Sequence, residues 1–386
     1  MHKNILLFII SLFFISTGIN PQNKPSPTKV PAKTEKKETT SEDKEKIKKE
    51  NETKKEARLK ESDQKKAEWI EKTLKYGINQ ERKEAINYIP TVKDDSKKKL
   101  LMSMLSDLIA KESDIGVLVR ALNIAGELKL TEAGGNIALQ LENQSEDVKI
   151  AAVYALKDVG ASEKKSILFD KLKSSDFTVN SNLTTAIIET LAEFGSTEIF
   201  EFSKERINDN NTLKNYRLSF ILYLAKVKIP GSYDFLLKLY KDQNEDADVR
   251  GYAVNAISKL QKNEASPEIT TIIKEIETYP FEKKKRYYQL YIYSVTALVK
   301  LGDSSAYVKL EDSLRNDNTN VRVQAIKLMR ELKDQRAADI LKYKAEFDPS
   351  PIVQKEALAA LSDMGIDYKK VLDEKQGKGE KDKKSK

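Results

Sequence analysis

The sequence predicts an all-α fold, an α-solenoid of about nine stacked helix pairs with a disordered N-terminal linker and a disordered C-terminal tail. Three observations carry that prediction. A short amphipathic phrase returns about every 33 residues, the apolar spacing inside it follows the helix and not the strand, and both ends of the chain hold few large apolar side chains beyond the first 18 residues. The phrase closes at Pro90, Gly126, Gly160, Gly195, Lys228, Gln261, Gly302, Lys333 and Gly365. A unit of that size is too small to bury its own apolar face and does so by stacking on its neighbours.

In chain order, residues 1–18 come first. Lys3, the apolar run Ile5 to Ile15 and then Ser16-Thr17-Gly18 read as a cleavable secretory signal, since the run stops short of the ~20 residues a spanning helix needs. Residues 19–66 form a linker, first proline-rich and then a run of Lys and Glu with too little apolar surface for a core. The solenoid is expected over 67–372, and residues 373–386 are a Lys-rich tail. Absence of cysteine closes the lipoprotein reading, and with it disulfides, thiol catalysis and zinc-thiolate sites.

Within the solenoid the phrase is read backwards from its closing residue. One residue earlier stands an apolar side chain, such as Val159, Leu260 or Leu332. Four and five earlier come pairs such as Ala155-Leu156 and Ala256-Ile257, and seven earlier Val153, Val254 and Ile326. These offsets lie on one stripe of a helix. Thirteen earlier stand Ser113, Asp147, Asn182, Asn215, Asp248, Gln289 and Asn320, most of which can cap a helix. Second amphipathic segments fill the intervals at 131–142, 162–173, 196–207, 231–242, 267–277, 304–315 and 335–346, so each unit is a helix pair. The longest interval holds an insertion around Asn263 to Lys285, and the first unit, with Arg82 and Lys83, looks like a terminal cap.

The segments Asp-Val-Arg-Gly-Tyr-Ala-Val-Asn-Ala-Ile (248–257) and Asn-Val-Arg-Val-Gln-Ala-Ile (320–326) give the chain its family look: between about Ala67 and Leu372 it resembles the HEAT-repeat family in its short bacterial form. A tetratricopeptide array has a similar period, but its Trp, Gly-Tyr and Pro signature is missing, and the only tryptophan, Trp69, lies at the array's edge. The resemblance implies a binding surface. Some bacterial HEAT-like proteins are linked to bilin attachment, a role that an export signal puts in another compartment.

Charge narrows the partner. The chain is +8, but residues 20–66 hold 15 basic and 10 acidic residues and residues 369–386 hold 8 and 4, which leaves the body 67–368 near −2. Basicity belongs to the tails, so nucleic acid is not expected as a partner, and the tails are expected to make only weak contact with anionic envelope surfaces. The sole histidine, His2, falls in the signal. Serine-histidine triads and histidine-held metals are therefore not expected, and neither cofactor nor metal is assigned. The chain is expected to be no enzyme; carboxylate-only chemistry is the distant alternative.

Two constellations stand out. Eleven residues before the closing position lie Lys149, Arg217, Arg250 and Arg322, read as a structural ladder between stacked units with Asp147 and Asp248 as partners. Beside the insertion lies a basic-aromatic stretch, with Lys283, Lys284, Lys285, Arg286, Tyr287, Tyr288 and Tyr291 as the candidate partner-binding residues, since Tyr and Arg most often anchor interfaces. The expected function is an exported scaffold whose solenoid surface binds another protein of the cell envelope. The alternative is a structural component of a larger envelope complex, such as secretion or motility machinery.

Overall fold

Apolar residues spaced three and four apart form helices throughout the body, and the computed structural model of the protein describes this for residues 61–370 together with 59 and 372. The readings placed on residues 1–58 and 373–386, which are the signal, most of the linker and the tail, lie outside the described residues. Among the described residues there is no strand, and no helix is long and apolar enough to cross a membrane. Nine helix pairs follow one another among the described residues. They are α1 (61–76) with α2 (Asn79–Tyr88), α3 (Asp95–Lys111) with α4 (Ile115–Glu127), α5 (Gly134–Leu139) with α6 (Glu146–Val159), α7 (Lys165–Lys173) with α8 (Asn182–Glu193), and α9 (Phe200–Asn208) with α10 (Lys214–Val227). The array continues with α11 (Ser232–Lys241) and α12 (Ala247–Lys259), α13 (Ser266–Thr278) and α14 (Phe281–Lys300), α15 (Tyr307–Ser313) and α16 (Thr319–Leu332), and α17 (Ala338–Phe347) and α18 (Pro351–Asp363). The protein is an all-α solenoid of stacked helix pairs.

The two layers differ in how they connect. Each second helix packs on its own first helix and on the second helix of the following unit, so α2, α4, α6 and their successors make an unbroken row. The stripe read from the sequence is the face buried in that row: Ala152, Val153, Ala155 and Leu156 in α6, and Ala253, Val254, Ala256 and Ile257 in α12. Small residues set the spacing. A Cβ on Gly251 would stand 3.0 Å from Tyr293 Cδ2, tighter than ordinary contact, so glycine lets α14 lie this close to α12 without displacing that ring.

Helix ends depart from the sequence reading in three ways. Caps sit one or two residues from the expected positions: Asp114, Ser181, Asp246 and Asn318 accept the first-turn amides, not Ser113, Asn182, Asp248 and Asn320. The closing residues Gly160, Gly195, Gly302 and Gly365 are left-handed, but so are Lys228, Gln261 and Lys333, which hold that conformation without being glycine. Gly126 closes nothing. Its helix runs on to Glu127, Lys129 takes the left-handed turn, and Gly126 instead makes room for Asp158, whose Cβ would stand 3.1 Å from an added methyl.

The first pair begins before residue 67, since residues 61–66, assigned above to the linker, are already helical. Asp63, Ala67, Ile70 and Leu74 form its buried stripe. Asp63 Oδ2 accepts the backbone amides of Lys93 at 2.9 Å and Asp94 at 2.8 Å, which ties α1 to the start of the second unit. Arg82 does not face water as a terminal cap would; it pairs with Glu112 of the second unit.

Candidate functional site

The insertion is not a loop. It is absorbed into helix: α14 has 20 residues against 13 in α12 and 14 in α16, about two further turns at its N-terminal end. Where α11 and α12 are joined by a stretch ending in the cap Asp246, α13 passes into α14 through Tyr279 and Pro280 alone. Lys283, Lys284, Lys285 and Arg286 therefore lie on helical turns that run past the N-terminal ends of the neighbouring second helices.

The structure sorts the seven candidate residues. Lys283 Nζ lies 3.5 Å from the centroid of Tyr279 and 5.8 Å from that of Tyr287, and those two rings pack edge to face at 5.2 Å. Lys285 lies over Phe281 at 4.6 Å and pairs with Glu282 at 2.9 Å. Lys284 and Arg286 make no ion pair among the described residues. Tyr287 and Tyr288 are half-buried. Tyr291 turns inward, its hydroxyl donating to Glu277 Oε1 at 3.1 Å, with burial and that carboxylate raising its pKa. Tyr279, which donates to Glu275 at 2.5 Å, is pushed up to about 12 by burial and then by that bond. Both hydroxyls thus stay protonated donors.

Two adjoining clefts of about 250 and 640 Å³ flank the overhanging turns of α14 and share Lys285, Tyr288 and Asn318. The wider one is bounded by Phe281 and by the turn from Asp312 to Asn318; the narrower one reaches Arg286, Gln289, Asn320 and Gln324. Phe281 is 62% exposed. The carboxamide wall was missed by sequence reasoning, because Asn320 read there only as a helix cap and Asn316 and Asn318 carried no repeat signal. A further cleft of about 560 Å³ lies between α8 and α10, with Leu222, Glu189, Lys226 and Lys259 on its walls.

The ladder positions behave otherwise. Arg217, Arg250 and Arg322 are buried, and each bonds a carbonyl at the end of the preceding first helix or in the turn after it. Arg217 Nε donates to Ile207 O at 2.6 Å and Arg250 Nε to Tyr240 O at 2.9 Å, while Arg322 Nη1 reaches Asn316 O at 2.8 Å and Asp317 O at 3.0 Å. Links to the next unit come from acids not foreseen: Arg217 pairs with Glu245, and Arg322 is bidentate on Asp348 at 2.8 and 2.9 Å. Asp248 pairs instead with Lys214 at 2.7 Å, and neither Lys149 nor Asp147 makes an ion pair among the described residues. Burial raises the Asp348 carboxyl, but bonds from Arg322, the Ser350 amide and Lys344 outweigh it and hold the pKa below the usual aspartate value.

No protein-family model matches the chain, and no curated protein sequence matches it. Solved structures do. The complex of CpcE and CpcF of phycocyanin lyase from Nostoc is similar at 15% identity and a TM-score of 0.37, over 68% of this chain and 93% of that one. An engineered protein is similar at 16% and 0.36, over 78% and 88%. Human deoxyhypusine hydroxylase in complex with glycerol is similar at 15% and 0.31, over 69% and 96%. Such likeness concerns the helical fold alone. One expectation is corrected: that the chain is no enzyme does not stand, since the solved structures similar to it include a phycocyanin lyase and a deoxyhypusine hydroxylase.

Proposed function

We propose that the protein is an exported scaffold of the HEAT-repeat family that binds another protein of the cell envelope through the overhanging turns of α14. The observation that carries this reading is the contrast in partners. The cations of Arg217 and Arg322 are buried in bonds between units, whereas Lys285 lies exposed over the exposed ring of Phe281 and Arg286, exposed on the next position, makes no ion pair among the described residues. Exposed cations next to an exposed aromatic ring supply the chemistry from which interfaces draw most of their binding energy. The export signal at residues 1–18 supports the envelope as the compartment. A photo-reactive amino acid in place of Phe281, activated in intact cells and followed by mass spectrometry, tests the reading. One dominant envelope protein is expected among the crosslinks, lost when Lys283, Lys284, Lys285 and Arg286 are changed to Ser. Crosslinks that survive those changes, or that arise only from a probe at Leu222 in the cleft between α8 and α10, move the contact elsewhere.

A further inference from the structure

The groove beside α14 has a wall chemistry of its own. Asn316 Oδ1 accepts the amide of Asn318 at 2.9 Å and Asn318 Oδ1 that of Asn320 at 2.9 Å, and neither Nδ2 donates a hydrogen bond among the described residues. Gln324 gives Nε2 to the Tyr293 hydroxyl at 3.0 Å and keeps its oxygen as an acceptor. Gln289 and Asn320 have no side-chain hydrogen bond among the described residues. A carboxamide donates and accepts as a peptide unit does, and several in a row meet the alternating N–H and C=O groups of an extended chain.

We infer that this groove holds an extended peptide segment of the partner, one that carries acidic side chains and an aromatic one. The inference rests on the contact surface proposed above and specifies how it is used. Phe281 and Tyr288 give an aromatic side chain a face to stack on. Arg286 has no carboxylate partner among the described residues, and Lys285 and Arg315 hold theirs only in exposed pairs three residues apart, at 2.9 and 2.6 Å, which cost little to exchange for a ligand's. An oligosaccharide would use the amides and the rings but leave the unpaired cations unanswered, so the peptide is the better fit.

A fluorescent peptide alternating aspartate, phenylalanine and glycine, titrated into the full chain, tests this. Saturable binding is expected, absent when lysine replaces aspartate, and about ten-fold weaker in a Gln289→Ala, Asn320→Ala double variant, the effect of one or two hydrogen bonds. Neither residue caps a helix, and unchanged circular dichroism would show that the variant folds. Failure of the parent to bind the acidic peptide, equal binding by the double variant, or binding of an N-acetylglucosamine oligomer with the same dependence on Gln289 and Asn320 would overturn the inference. If crosslinking from Phe281 still captures a protein when the peptide does not bind, the contact surface stands and only the extended mode falls; if both fail, the surface falls too.

Discussion

Arg322 and Arg286 carry the same guanidinium into opposite circumstances. Arg322 is buried, bidentate on Asp348 and bonded to two carbonyls of the turn before its own helix, while Arg286 is exposed and has no ion pair among the described residues. Geometry makes the difference. A ladder arginine springs from the first turn of a second helix and faces the end of the adjoining first helix, where unpaired carbonyls collect. The two further turns of α14 carry Arg286 beyond that zone. Position relative to the row, not residue type, thus decides whether a cation holds units together or remains available to a partner.

The sharpest way to break the comparison is Arg322→Ala. It takes the bidentate partner from the buried Asp348 carboxylate and leaves it only Lys344 and the Ser350 amide, and removal of one member of a buried pair costs about 3–5 kcal/mol, read as a large fall in the urea midpoint. An unchanged midpoint would mean that the ladder is decorative. Close behind comes Gly251→Val, which forces α12 away from Tyr293 and the backbone of Leu290; overpacking of this sort costs roughly 1–3 kcal/mol, and differential scanning calorimetry would show it.

Acid adds a third test with a defined sign. The Asp348 pKa is lower in the folded chain than the ordinary 3.8, so its contribution is fully present above that value and is lost as pH falls through the folded pKa. Asp348→Asn should therefore be less stable than the parent at neutral pH and show a flatter dependence below about pH 4. A parallel decline in both proteins would assign the acid sensitivity to other carboxylates.

Smallest of the graded effects is a gain. Lys228 and Lys333 hold the left-handed closing turn without being glycine. Replacing either by Gly relieves backbone strain at some cost in chain entropy, for a net stabilisation of about 0.5–1 kcal/mol. A lower melting temperature would show that the lysine side chains contribute more than their backbone strain.

Much of this architecture was legible because a solenoid repeats its signals. One closing position is ambiguous, but nine in register give the pairing, the buried stripe and the unit boundaries. What periodicity does not encode was harder to see. The caps slipped by a residue or two, because Asp246 and Asp248, or Asn318 and Asn320, are equally able cappers and only backbone geometry chooses between them. Gly126 looked like a closing glycine, although its role is to admit Asp158 from the next unit. The ladder arginines were visible as a row, but their partners Glu245 and Asp348 lie in turns, where the repeat is least regular. An insertion marked the site near α14, yet a count of residues could not say whether it made a loop or lengthened a helix, and the groove follows only from the second.

The most direct test of the division between holding and available cations is a paired urea titration. One arm changes Lys283, Lys284, Lys285 and Arg286 together to Ser, and the other changes Arg322 alone to Ala. The account predicts a midpoint for the fourfold variant lowered only by the weaker helix propensity of serine, a few tenths of a kcal/mol for each change, and a far larger fall for the single one. If the four substitutions on these turns destabilise the protein as much as the one buried substitution does, the turns of α14 belong to the fold, and their cations are not held in reserve for a partner.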